Sequence, residues 1–309
     1  MLPIPDIQVL ERHSLVCPFG VRFWDSVTRT SIGDGLRVTA RPALGNSGAQ
    51  DREAILTRSD TFAFHNLPGL RDAESGQGDA NFWDEIESNP MRRRSFVIEV
   101  NDRFARFLPF TFKAELPHRG LFQFGSILSP LSPLSPPQSA ALGVPLFSAP
   151  ARPVPGGMAV VRAQIRTLPA NEPAAFALVE IQAKSASGPM VSAQGVADVQ
   201  GGVAVIFPYP ELPPPASFGS PSAGGGQALS SREWTVRVRV SWGPVLSNGR
   251  PPDLAYVLFT QPERVLHGGK SPAEPFAPQI LRFGRELILR SSRDDSLSVL
   301  LINAAASPP

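Results

Sequence analysis

The stretch Trp234-Thr-Val-Arg-Val-Arg-Val-Ser-Trp242 alternates without a break. Trp234, Val236, Val238, Val240 and Trp242 fall on one side of an extended chain, and Thr235, Arg237, Arg239 and Ser241 on the other. A period of two is a strand with one face in a core and one in water; a helix would space its apolar residues at three and four. The same alternation sets Phe96, Ile98 and Val100 against Val97, Glu99 and Asn101. It sets Phe110, Phe112, Ala114 and Leu116 against Thr111, Lys113 and Glu115, and Val161, Ala163 and Ile165 against Arg162, Gln164 and Arg166. Clusters of Gly, Pro, Asn and Asp separate these runs, which is how sandwich strands are punctuated. The 34 prolines among 309 residues are about twice the usual share of roughly 5%. They end helices and keep strands short. The best helix candidate is the short run Asn81 to Glu87. The expected fold class is therefore all-β, with antiparallel sandwiches.

A chain of this length holds two domains of ordinary size. The boundary falls in the stretch from Ser126 to Pro155, where Ser129-Pro-Leu-Ser-Pro-Leu-Ser-Pro-Pro137 repeats every three residues. Such a run favours extended polyproline II, either as a semi-rigid spacer or as a docking peptide. This predicts an N-terminal sandwich over 1–130, a Pro-rich linker over 131–155 and a C-terminal sandwich over 156–309. Within the last, 208–227 carries Pro213-Pro214-Pro215 and Gly224-Gly225-Gly226. It is too long for a hairpin turn and reads as an excursion. Leu131, Leu134, Leu146 and Phe147 in the linker, and Leu212 and Phe218 in the excursion, are apolar side chains on irregular segments. They are expected either to meet a partner or to fold back over sheet edges. Extended segments can also add a strand to a neighbour's sheet.

The formal net charge of +2 gives no electrostatic footprint for nucleic acid. The one basic run, Arg92-Arg93-Arg94, follows Asp84, Glu85 and Glu87 and reads as a solvated loop or a patch for an acidic partner. Cys17 is the single cysteine, so no intrachain disulfide argues for an oxidising compartment. The opening MLPIPDIQVLERHSLV has no basic region, apolar core and small-residue cleavage site in series. No apolar run reaches the length of a membrane span. The expectation is a cytoplasmic protein without membrane insertion, released only as part of a larger particle.

Residue types that do chemistry are present but not grouped. His13, His65, His118 and His267 show no metal-ligand spacing among themselves or with Cys17. There is no Gly-x-Ser-x-Gly elbow, and Gly224-Gly225-Gly226 lacks the Lys-Ser/Thr of a phosphate cradle. Asp294 and Asp295 are neighbours in an extended segment, so they point apart rather than share a proton. Phe19, Phe23, Trp24, Phe62, Phe64, Phe104, Phe107, Phe110 and Phe112 read as core. No catalytic residue, cofactor or metal is expected.

The two halves share a pattern in which a strand meets a polar turn, an Asp closes the next hairpin, and a strand ends at Pro. The second half carries it in Gly195-Val-Ala-Asp198-Val-Gln-Gly201-Gly-Val-Ala-Val-Ile-Phe-Pro208, with Asp198 and Gly201 as turn residues. The first half carries Asp60-Thr61 where the second has its Asp…Gly turn. The second-half motif resembles the carboxypeptidase regulatory-like domain, a prealbumin-like sandwich. The resemblance implies two tandem Ig-like or prealbumin-like domains. The same fold serves intradiol dioxygenases, whose iron takes two Tyr and two His. Tyr209 and Tyr256 are the only tyrosines here, and no His lies near either in sequence. Longer strings, Val21-Arg-Phe-Trp-Asp25, Asn66-Leu-Pro-Gly-Leu-Arg-Asp72, Val144 to Gly156 and Leu281 to Arg290, resemble proteins carried with phage-tail-like contractile injection systems. That resemblance implies a non-catalytic structural or adaptor component of the cap or baseplate, with other particle subunits and copies of itself as partners. The alternative is an adhesin-type module that binds carbohydrate or protein.

Overall fold

A computed structural model describes residues 17–44, 51–74, 80–89, 92–124, 143–184, 190–210, 231–245, 249–268, 276–291 and 298–305. In the first half the strands are β1 (Phe19–Val21), β2 (Phe23–Asp25), β3 (Thr30–Ser31), β4 (Leu36–Pro42), β5 (Arg52–Glu53), β6 (Ile55–Leu56) and β7 (Phe62–Phe64). Two short helices follow, α1 (Arg71–Glu74) and α2 (Ala80–Ser88), then β8 (Arg94–Asp102), β9 (Phe110–Leu116), β10 (Leu121–Phe122) and β11 (Val144–Leu146). The second half holds β12 (Met158–Leu168), β13 (Leu178–Lys184), β14 (Met190–Val196), β15 (Gly202–Pro208) and β16 (Glu233–Ser241). It closes with α3 (Leu254–Phe259), β17 (Glu263–Arg264), β18 (Gln279–Arg282), β19 (Leu287–Ile288) and β20 (Leu300–Asn303). The architecture is all-β, and α2 covers the run expected to be helical.

The alternating runs are the longest strands, and they bury the side chains that the alternation selects. Phe96, Ile98 and Val100 of β8, Phe112 and Leu116 of β9, and Trp234, Val236 and Val240 of β16 are all buried. In the first half the sheet β5-β4-β8-β9 packs its apolar side chains into one core with those of β10-β1-β7-β6 and of the short sheet β11-β2-β3. The phenylalanines supply most of that core: Phe19, Phe23, Phe62, Phe64, Phe110, Phe112, Phe122 and Phe124 meet at ring separations of 5.3 to 6.4 Å. Phe104, at 62% exposure, and Trp24, half-buried on the other face of β2 from Phe23, are the exceptions among the aromatics expected inside. In the second half β14-β13-β16, with β17 and β18 beyond β16, faces β15-β12 with β19 and β20.

Four pairings are parallel, not antiparallel as expected: β1 with β10, β2 with β11, and β12 with both β19 and β20. In each, a short late strand returns to the open side of an early one, covering an edge that a purely antiparallel meander would leave bare.

The expected linker over 131–155 is also corrected at its C-terminal end. Val144–Leu146 is strand β11, in register with Phe23–Asp25. Leu146 is 1% exposed and Phe147 6%. These two are core residues of the first half: of the two courses expected, they take the second and fold back over a sheet edge instead of facing a partner. β2 offers a free edge, and an apolar Val-Pro-Leu-Phe run gains more by closing it than by staying in water. Leu131, Leu134, Leu212 and Phe218 lie outside the described residues, as do His13 and the Asp294–Asp295 pair.

The first core also takes side chains from the second half: Leu178, Val196, and Leu254, Val257 and Leu258 of α3. Asp253 caps α3 by accepting from the Ala255 N–H at 3.0 Å. Just before it, the Pro252 carbonyl accepts from the Thr111 N–H at 2.8 Å. That contact covers the outer edge of β9.

Candidate functional site

The motif around Asp198 resolves into three geometric requirements. β14 pairs with β13, whereas β15 pairs with β12. The turn between them therefore crosses from one sheet to the other, and the expected hairpin is corrected to an arch. Asp198 Oδ1 accepts from the Gln200 and Gly202 N–H groups, each at 2.8 Å. Gly201 has φ +82°, and a Cβ there would sit 2.4 Å from the Ile165 carbonyl oxygen. At Gly195 a Cβ would meet Val205 Cγ2 at 2.9 Å and the Ala204 carbonyl at 3.2 Å. Glycine at these two places lets the sheet edges close at the corner of the sandwich. In the first half Asp60 sits in a true hairpin between β6 and β7, with φ +54°. The Asp turns of the two halves thus do different work, which corrects the expected likeness.

Two aspartate–arginine clamps meet at Phe107. Arg152 donates to both oxygens of Asp25, at 3.0 and 2.6 Å, and to Ser148 Oγ at 3.0 Å. Burial alone would push the Asp25 carboxyl up. Arg152, the Thr28 hydroxyl and the Val27 N–H outweigh it and hold the group below the usual carboxylate range. Asp102 follows the same logic: burial opposes ionisation, and the Arg106 side chain with the Arg106 and Phe104 N–H groups overcomes it. The two guanidinium carbons lie 4.7 Å (Arg152) and 5.4 Å (Arg106) from the Phe107 ring centroid. These shifted groups are committed to holding 143–152 and the β8–β9 turn on the first core.

A different arrangement lies on the outer face of the β10-β1-β7-β6 sheet. Phe19 and Val21, and Phe62 and Phe64, point into the core, so Gly20 and Ala63 between them point out. The two are paired in register. Small residues at the sheet's centre leave an open trough of about 380 Å³. Thr57, Ser59 and Thr61, on the β6–β7 turn, form a hydroxyl row with oxygens 3.1 and 3.4 Å apart. Trp83 of α2, Cys17, His118 and Gly120 complete the lining. Cys17 Sγ donates to the Phe19 carbonyl at 2.9 Å, and burial pushes the thiol up. A thiol so held is not an activated nucleophile. Burial pushes His118 down, helped by Arg93 and opposed by its bond to the Leu121 backbone, so the imidazole stays uncharged near neutrality.

The remaining sequence candidates separate. Tyr209 stacks against Trp234 and Phe283 in the second core, its hydroxyl accepting from the Gly284 N–H at 2.9 Å. Tyr256 is on α3. His267 is buried beside β20, its N–H bonded to the Leu301 carbonyl. Among the described residues no three His, Cys, Asp or Glu form a group that could hold a metal ion. Arg92 of the basic run pairs with Glu85 at 2.7 Å. Lone-residue reading passed over the trough because Cys17, Trp83 and His118 are far apart in sequence. The legible signal was the small residue between two bulky ones in both Phe19-Gly-Val21 and Phe62-Ala-Phe64.

No protein-family model matches the chain, and no curated protein matches it. Among solved structures, a candidate adhesin from Bacteroides ovatus aligns with 72% of this chain and 77% of its own at 12% identity. Its TM-score is 0.17, too low to carry an argument.

Proposed function

We propose that this chain is a non-catalytic binding subunit that works through protein–protein contacts within a larger assembly. A contractile injection particle, at its cap, its baseplate or an adaptor between them, is the assembly its sequence resembles. The observation that supports the reading most is the open end of β14. Met190 to Gln194 lie at the edge of their sheet, carry no charge and no proline, and leave Met190 56% exposed. Protein edges are normally blunted by charge, proline, shortness or cover. β5 is short and charged, and β9 is covered by Pro252. Among the described residues nothing pairs with Met190 to Gln194 beyond β13, and such an edge accepts a partner's strand through main-chain bonds.

The test uses particles purified from the source organism. The full chain is expected among their proteins, and Ser192→Lys with Gln194→Lys is expected to drop out of particles while its circular dichroism is unchanged. Absence of the wild-type chain from particles overturns the reading. A second reading, an adhesin-type module that takes a carbohydrate or protein ligand, is favoured by the trough over β1 and β7.

A further inference from the structure

We propose that the trough floored by Gly20 and Ala63 binds a neutral saccharide. This rests on the second reading above, not on assembly through β14. The lining holds no Asp, Glu, Lys or Arg. A cation would enter without a counter-charge, and an anion would have to compete for Arg22, whose Nε–H is already given to the Thr61 hydroxyl at 3.1 Å. What the lining does hold matches a sugar ring. The hydroxyls of Thr57, Ser59 and Thr61 bond one another and also accept from the Thr61 N–H and the Arg22 Nε–H, which leaves the row two acceptor positions for a ligand. The uncharged His118 imidazole gives its one N–H to the Leu121 backbone and keeps one acceptor nitrogen for a sugar hydroxyl. Trp83, half-buried at the rim, supplies an apolar surface for the C–H face of a ring.

Volume and floor fit the same ligand. About 380 Å³ lies at the small end of the range for ligand sites, roughly 300–1,000 Å³. That is room for one or two sugar units. The floor can be flat because both central positions lack a long side chain. A Cβ on Gly20 would touch Thr61 Cγ2 at 3.4 Å and Leu121 Cδ2 at 3.6 Å, which are ordinary contacts. Gly20 is therefore not required by packing, and alanine there would raise the floor without disturbing the sheet. An extended peptide is the poorer match. It would need unpaired main-chain groups along the trough, and β1 is bonded on both sides, to β10 and to β7.

The experiment takes the full chain and probes it by saturation-transfer NMR with the methyl glycosides and trisaccharides of glucose, galactose, mannose and N-acetylglucosamine. Glucuronic acid and a hydrophobic heptapeptide serve as contrasts. At least one neutral sugar is expected to bind, with transfer strongest at its C–H protons. Trp83→Ala is expected to weaken it about tenfold, and Ser59→Ala and Gly20→Ala by smaller factors, each with unchanged circular dichroism. The proposal is overturned if no neutral sugar binds at millimolar concentration, if glucuronic acid or the peptide binds tighter, or if Trp83→Ala and Gly20→Ala both leave affinity unchanged. Should Trp83→Ala unfold, Gly20→Ala with Ser59→Ala decides by the same criterion. None of these outcomes bears on whether β14 recruits a partner.

Discussion

Asp25 and Asp102 in the first half and Asp198 in the second each shape a turn by accepting nearby amides, but only the first two also take an arginine. Asp25 receives the Val27 N–H, Asp102 the N–H groups of Phe104, Arg106 and Phe107, and Asp198 those of Gln200 and Gly202. Burial separates them. Asp25 is 1% exposed, and the Asp102 side chain is fully covered. Asp198 keeps part of its surface in water. A carboxylate out of water needs a cation as well as amides, because hydrogen bonds alone do not offset the lost hydration. For Asp102 the cation is four residues away; for Asp25 it is Arg152, from beyond the Pro-rich stretch. The first half is thus tied by a long-range ion pair, and the second turns its corner with glycines and a solvated side chain.

The strongest way to break this contrast is to remove the distant cation. Arg152→Met should cost about 3–5 kcal/mol at neutral pH, the usual penalty for stranding a buried charge. Urea unfolding would measure it. Adding Asp25→Leu should recover part of the loss, because it removes the stranded charge but leaves the Val27 N–H and the Thr28 hydroxyl without their acceptor. The sign of the pH dependence follows from the lowered Asp25 pKa. The pair's contribution is fully present above the unfolded value, about 3.9. It is lost as pH falls through the lower folded value. The gap between wild type and Arg152→Met should therefore close in acid. A gap that stays constant down through that window would show the carboxylate is not what the arginine serves.

Gly201 is the second-half counterpart, where backbone geometry replaces charge. Gly201→Ala should destabilise by about 2–3 kcal/mol, since the residue must hold a positive φ and its Cβ would press on the Ile165 carbonyl. The loss should be the same at pH 3 as at pH 7, unlike that of Arg152→Met. A pH-dependent loss would mean that the two halves share one mechanism.

Much of this was legible in the sequence. Period-two alternation in β8, β9, β12 and β16 is set by local pattern, so the strands and their buried faces could be read directly. Asp198 and Gly201 could be read as turn residues because Asp and Gly have specific backbone roles. Which strands the turn joined could not, because pairing depends on partners: β15 chooses β12, not β14, through contacts remote in sequence. The burial of Leu146 and Phe147 was hidden for the same reason. A Pro-flanked apolar run looks like a linker until β2 is seen to need a neighbour. Arg152 pairs with a residue 127 positions earlier, a separation that carries no local signal. The trough was half-legible, its floor in the Gly20 and Ala63 pattern, its walls only in the fold.

Asp198→Ala tests the solvated end of the contrast. It removes acceptors for two amides but strands no opposing charge, so it should cost about 1 kcal/mol. A loss as large as that of Arg152→Met would mean the arch depends on its carboxylate as heavily as the buried turns do.

Asp60→Asn should have the smallest effect. Asp60 is exposed, holds φ +54°, and accepts from the Ser31 hydroxyl at 3.0 Å. Asparagine tolerates the same left-handed conformation and keeps a carbonyl oxygen for Ser31. An exposed hydrogen bond of this kind contributes little, so the change should stay within about 0.5 kcal/mol. Asp60→Ala separates the two roles that remain. It gives up both the hydroxyl contact and the tolerance of positive φ, and should cost about 1 kcal/mol more. If Asn instead cost as much as Ala, the negative charge itself would be what the β6–β7 turn requires. An exposed first-half carboxylate would then matter electrostatically, and burial would no longer account for which turns recruit an arginine.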